Sequence, residues 1–233
     1  MDRDRIDAVL AACEQAVASG GQPDLRAEGF WAAVAAIKGN PSLVDEFSGR
    51  VAAVDTAVFT RWALLAVPFA VGTALGLAGT VVGLILVGLA YGFDQPWNGL
   101  TLLAGTGVLL VTTHGLGHVV AGVAAGMHFT HWFIGTIRMP QPGVKVDYAT
   151  YLAAPARARA WMHASGAIVT KAIPFLMVGA ALAMEAPWWA IAALPTVGVG
   201  AIVTDVVWST TSSDWKKFRR ELRYVAPQSM RPE

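Results

Sequence analysis

Residues 62–91 contain no Asp, Glu, Lys or Arg, and this uncharged run constrains the fold more than any other feature of the chain. About 20 apolar residues are enough to cross a bilayer as a helix. The first 61 residues differ sharply, with nine acids and six bases. Overall the chain is 14% charged, where an ordinary soluble domain carries about a quarter. The sequence therefore describes an integral membrane protein with a polar N-terminal part. A net charge of +1 says nothing about nucleic acid, and no basic stripe with interleaved aromatics makes it an expected partner. The single Cys13 excludes an intrachain disulfide framework and a multi-cysteine zinc site.

Four apolar spans are expected, at about 62–92, 99–126, 161–184 and 188–208, with Trp62, Trp97, Trp161, Trp188, Trp189, Trp208 and Trp215 marking their ends. Indole rings favour the headgroup interface. The first span is too long, about 46 Å as one straight helix against roughly 30 Å of hydrocarbon, so it must tilt, kink near Pro68 or project. Loops 93–98 and 185–187 carry no Lys or Arg. Those at 127–160 and 209–233 carry Arg138, Lys145, Arg157, Arg159, Lys216, Lys217, Arg219, Arg220 and Arg223. The positive-inside rule then puts both termini in the cytoplasm of a four-span protein of the cell membrane. The start, Met1-Asp-Arg-Asp-Arg, leads into no apolar core of signal-peptide type. Gly72/Gly76, Gly79/Gly83 and Gly122/Gly126 are spaced for close helix contact.

Ahead of the spans, residues 1–58 read as a cytoplasmic helical segment. Ile6, Val9, Leu10, Cys13 and Val17 recur at helical spacing, and a turn comes next at Gly20-Gly21-Gln22-Pro23. A second helix is expected around Phe30, Trp31, Val34 and Ile37. A third, opened by Ser42 with Asp45 as a capping box, carries Val44, Phe47, Val51, Val54 and Val58. Residues 59–215 form the expected transmembrane domain and 216–233 a basic tail. Its Trp215-Lys-Lys-Phe-Arg-Arg-Glu-Leu-Arg stretch reads as an amphipathic helix on anionic headgroups.

The chemistry lies in the second span, at His114-Gly-Leu-Gly-His118. Positions i and i+4 share one helix face, so both imidazoles can reach one metal ion. Ionisable residues inside a membrane are costly and face a cavity, a partner or an ion; the bland alternative is hydrogen bonding to neighbouring helices. A third ligand is needed, and the last span offers Asp205 near its cytoplasmic end, toward which His118 also lies. His128, His131 and His163 read as interfacial.

These residues resemble the site-2 proteases, intramembrane zinc metalloproteases with H-E-x-x-H on one membrane helix and an aspartate ligand on a later one. The stretch Gly126-Met-His-Phe-Thr-His-Trp-Phe-Ile-Gly135 looks like the family's segment after the zinc helix. Pro142-Gly-Val-Lys-Val-Asp147-Tyr looks like part of its membrane-associated β-hairpin, and Ser165-Gly-Ala like its small-residue motif opening the next helix. The resemblance covers about residues 99–215 and none of the first 60. It implies an all-α membrane protein with about four transmembrane helices and a short membrane-associated β-hairpin. It further implies one zinc ion, and a single-span membrane protein as substrate or client. Gly115 stands where the family has its glutamate, the general base that takes a proton from water. Such groups contribute about 10²–10⁴-fold. If the hairpin folds back over the site, Asp147 is the carboxylate to nominate as a substitute base. Two functions stay in view: a divergent protease or non-catalytic client-binding relative, and a metal or proton carrier using His114, His118 and Asp205. Haem ligation is disfavoured, since ligands one turn apart on one helix cannot take opposite faces of a porphyrin.

Overall fold

The computed structural model describes residues 1–21, 23–137, 139–207 and 213–225. Gln22, Arg138 and Trp208, expected in a turn, a loop and a span end, lie outside the described residues, as do positions 226–233 of the basic tail. The chain divides into two compact units. One is built from residues 1–69 and 123–156 with 224 and 225, the other from 70–122 and 157–223.

The first unit begins with α1 (Arg3–Ala18), α2 (Phe30–Lys38) and α3 (Pro41–Trp62). The apolar spacing of these segments buries Ile6, Leu10 and Cys13 of α1, Phe30, Val34 and Ile37 of α2, and Phe47, Val51 and Val54 of α3. Each large side chain so buried stabilises by roughly 1.5–3 kcal/mol relative to exposure. Arg50 of α3 reaches Glu14 at 2.8 Å and also Asp7, tying α3 to α1. The cap of α3 differs from the expected Ser42/Asp45 box. Asn40 accepts from the Ser42 N–H at 3.1 Å, because Pro41 occupies the first helical position, where its fixed φ suits the helix.

The overlong first span resolves at Pro68. Leu65–Pro68 is a short strand, β1, and α4 (Phe69–Ala90) begins at the next residue. Proline lacks an N–H, which an edge strand tolerates and a helix interior does not. The 22 residues of α4 reach about 33 Å, close to the hydrocarbon thickness. After α5 (Trp97–Ala124) the chain returns to the first unit as β2 (Phe129–Thr136), β3 (Met139–Val146) and α6 (Tyr148–Ala153). The expected hairpin is thus two strands of a three-stranded antiparallel sheet ordered β1-β2-β3, and the chain is not all-α. β1 pairs Leu65 with Ile134 and Pro68 with His131. Asp55 of α3, 6% exposed, pairs with Lys145 of β3. Burial pushes the Asp55 carboxyl above its usual range against the pull of that ammonium.

The second unit holds most of α4 and α5, with α7 (Ala156–Ala183), α8 (Trp188–Val207) and α9 (Asp214–Leu222). Four of its helices, α4, α5, α7 and α8, are long and apolar enough to cross a bilayer. Only 11% of the apolar window of α4 is buried, and Leu75, Val81, Leu84 and Ile85 are each more than half exposed. So extensive an apolar surface suits hydrocarbon rather than water. Small residues bring α4 and α5 together: a Cβ on Gly105 would lie 2.9 Å from the Gly83 carbonyl oxygen, and one on Gly79 would strike Thr112. Gly126 plays another part than the expected helix contact. Its φ of +78° ends α5, a conformation glycine adopts without strain. At the opposite end of α5, buried Asn98 donates to the Met184 carbonyl at 3.1 Å, beside a core of Leu102, Ala181, Ala186, Ala190 and Leu194.

Candidate metal centre

The unbroken α5 sets His114 and His118 one turn apart, with ring centroids 4.9 Å apart and planes nearly perpendicular. Two contacts to α7 fix what each ring offers. His118 Nδ1 lies 2.7 Å from the Met162 carbonyl oxygen. A carbonyl only accepts, so Nδ1 carries the proton. His114 Nδ1 lies 2.9 Å from the Thr170 hydroxyl, which itself donates to the Gly166 carbonyl at 2.9 Å. That hydroxyl spends its proton on Gly166 and accepts from His114. With Nδ1 engaged, it is Nε2 of each ring that is turned toward the site, the orientation that outer hydrogen bonds impose on metal-bound histidines.

The two Nε2 atoms converge on Asp214 at the start of α9. Each lies 3.3 Å from Oδ2. The other carboxylate oxygen takes a hydrogen bond from Lys217 Nζ at 3.1 Å. Burial pushes the Asp214 carboxyl up, but its contacts with His114, His118 and Lys217 outweigh this and hold it well below the usual carboxylate range. Asp214 is thus an anion facing two ring nitrogens, each able to hold a proton or a metal ion toward it. Three such donor atoms repel one another unless a cation lies among them, either a metal ion or protons on the rings.

The donor set fits a metal ion. The ligand atoms of His114, His118 and Asp214 all lie within 4.8 Å of one another, and the three side chains are partly buried. In a tetrahedral site with ligand bonds of about 2.0–2.1 Å, donor atoms sit about 3.3–3.4 Å apart. Both imidazole–carboxylate separations match that edge. Three protein ligands leave a fourth position open, as in catalytic rather than purely structural zinc sites.

The structure does not bring Asp205 to this cluster. Its carboxylate pairs with Lys171, joining α8 to α7. With a lysine of the neighbouring helix already meeting its charge, the carboxylate that joins the two histidines is instead Asp214, beyond the last span. Asp147, the carboxylate nominated as a substitute base, has a structural role of its own. It N-caps α6 in the first unit, its side chain accepting from the Thr150 N–H at 2.9 Å. Gly115 is buried within α5 and brings no side chain to the place of the family's glutamate. His131 lies on β2 against Phe59, with ring centroids 5.9 Å apart. His128 precedes that strand, its backbone N–H donating to Thr150.

Sequence reasoning misses Asp214 because it sits in a charged segment that reads as a surface helix. One signal is there to find it: Ser213 accepts from the Lys216 N–H as an N-cap, which places the next residue at the electropositive start of a helix.

The small motif Ser165-Gly166-Ala167 lies well inside α7, not at its start, and backs onto the histidines. A Cβ at Gly166 would overlap His118 Nε2 and lie 2.7 Å from the His114 carbonyl oxygen. Gly166→Ala is therefore expected to weaken metal affinity at least as much as losing an outer hydrogen-bond partner, about 10–100-fold. Competition with a chromophoric chelator measures this. An unchanged affinity would mean that α7 can withdraw from the site.

Comparison with protein families, with characterised proteins and with solved structures finds no match to this chain.

Proposed function

We propose that this chain is a multi-pass protein of the cell membrane that binds one zinc ion through His114, His118 and Asp214. In this reading it is a non-catalytic relative of the site-2 proteases, and it holds membrane helices of single-span clients without cutting them. The carrying observation is the convergence of two Nε2 atoms, each ring fixed by its own Nδ1 hydrogen bond, on one carboxylate. Two imidazoles and a carboxylate suit zinc among the available divalent ions. The ion would supply a Lewis acid. His114 and His118 would hold it from α5, and Asp214 would balance part of its charge.

Loss of proteolysis is supported by the surroundings of the donors. Gly115 provides no base, and Lys217 faces Asp214 as a cation. Four helices of spanning length and the basic loops 127–160 and 209–233 support a topology with both termini cytoplasmic. Client binding rests on the resemblance of residues 99–215 to that family. A second reading, a metal or proton carrier, draws on the Lys171–Asp205 pair, a further charged couple between two apolar helices. Metal-dependent or proton flux in liposomes would favour it.

The deciding experiment is metal analysis of detergent-purified protein beside a His114→Ala/His118→Ala variant, and then incubation with a membrane-helix substrate. We expect about one zinc per chain, lost in the variant, and no cleavage. Protein without metal would end the metal reading. Cleavage abolished by His114→Ala would end the non-catalytic one.

A further inference from the structure

Helix α9 has two faces. Inward lie Asp214, Phe218 and Glu221, spaced by four and three residues. Phe218 packs on Trp161 with ring centroids 5.4 Å apart, and Glu221, fully buried, bonds Arg159 at 2.8 Å. Outward lie Lys216, Arg219, Arg220 and, just past the helix end, Arg223, at spacings of three, one and three. All four are exposed, and among the described residues no carboxylate shares that face of the helix. Leu222, also exposed, adds apolar surface to the same helix.

We propose that this outer face docks on anionic lipid headgroups and that docking holds Asp214 at the histidine pair, so that metal affinity depends on membrane charge. The proposal rests on the metal reading above. Several observations favour a lipid surface as the occupant. The stripe is purely cationic, and α9 begins only a few residues after α8, a helix apolar enough to span. A chain so tethered stays near the headgroups, where each Lys or Arg is worth about fivefold in binding to an anionic surface.

The coupling arises from the helix's length. A helix of nine residues is too short to persist alone in water. Its order depends on what it docks against, and Asp214 is a ligand only while it is ordered. Apparent affinity for a metal falls in proportion to the fraction of chains with the competent arrangement. A surface that favours docked α9 raises that fraction without touching the donors.

The test uses the full chain in liposomes of phosphatidylcholine alone or mixed with phosphatidylglycerol, with zinc affinity measured by chelator competition. We expect affinity about tenfold higher in the anionic membrane. The difference should shrink with added salt and vanish in a Lys216→Gln/Arg219→Gln/Arg220→Gln/Arg223→Gln variant, which leaves every donor in place. Equal zinc affinity in both membranes would overturn the coupling and leave the metal reading standing. A lipid effect that persists in the variant would overturn the role of α9. Failure to bind zinc in either membrane would instead overturn the metal reading itself.

Discussion

Asp214→Ala is expected to strip the metal from the protein, whereas Asp205→Ala is expected to keep it. The contrast separates two carboxylates that look alike in sequence, each lying at or beyond the end of the last span. Asp214 Oδ2 is 3.3 Å from both Nε2 atoms, and no other carboxylate among the described residues joins that cluster. Removing it leaves two imidazoles of one helix, short of the three protein ligands that an open zinc site uses. Affinity should fall by more than the roughly 10–100-fold that losing an outer-sphere partner costs. Asp205→Ala acts elsewhere, by leaving Lys171 without its ion-pair partner between α7 and α8. Its effect should appear in stability, with zinc content near one per chain. Asp214→Asn sharpens the comparison, since it preserves shape while removing the charge that balances the ion. The outcome that sinks this assignment is zinc retained in Asp214→Ala and lost in Asp205→Ala.

The histidine pair is legible in the sequence because its signal is local. Two residues four apart on an apolar helix share a face whatever else the chain does, and α5 keeps them there. The N-terminal helices are legible for the same reason, their burial tracking the apolar period through Ile6, Leu10 and Cys13 and through Phe47, Val51 and Val54. The illegible features depend on contacts between distant segments. Leu65–Pro68 reads as part of a span because its residues are apolar, and it becomes a strand only by pairing with residues 131–134. Asp205 is the natural third ligand for a reading confined to apolar spans, since nothing local betrays its pairing with Lys171. Asp214 enters the site through the docking of α9, which is set by Trp161, Phe218, Arg159 and Glu221 rather than by any motif.

Glu221→Gln is expected to be the most damaging single change outside the ligands. Arg159 is 3% exposed and Glu221 is fully buried, with the guanidinium Nε 2.8 Å from the carboxylate. Removing one partner of such a pair leaves the other charge buried without its bonded counter-ion, at a cost of about 3–5 kcal/mol. For a chain of this size that corresponds to a fall in apparent melting temperature of about 6–20 °C. Replacing both partners by apolar residues of similar volume, as in Arg159→Met/Glu221→Leu, should recover much of the loss, because it removes the desolvated charges along with their attraction. Zinc affinity adds a second readout. Arg159 lies on α7 and Glu221 on the helix that carries Asp214, so Glu221→Gln should release α9 and weaken the site, while the apolar pair should restore both together. A Glu221→Gln protein melting at the wild-type temperature would show that water reaches the pair. One that melts early yet binds zinc normally would show that Asp214 is held by its own contacts with the histidines and Lys217, and not by the anchor two turns further along the helix.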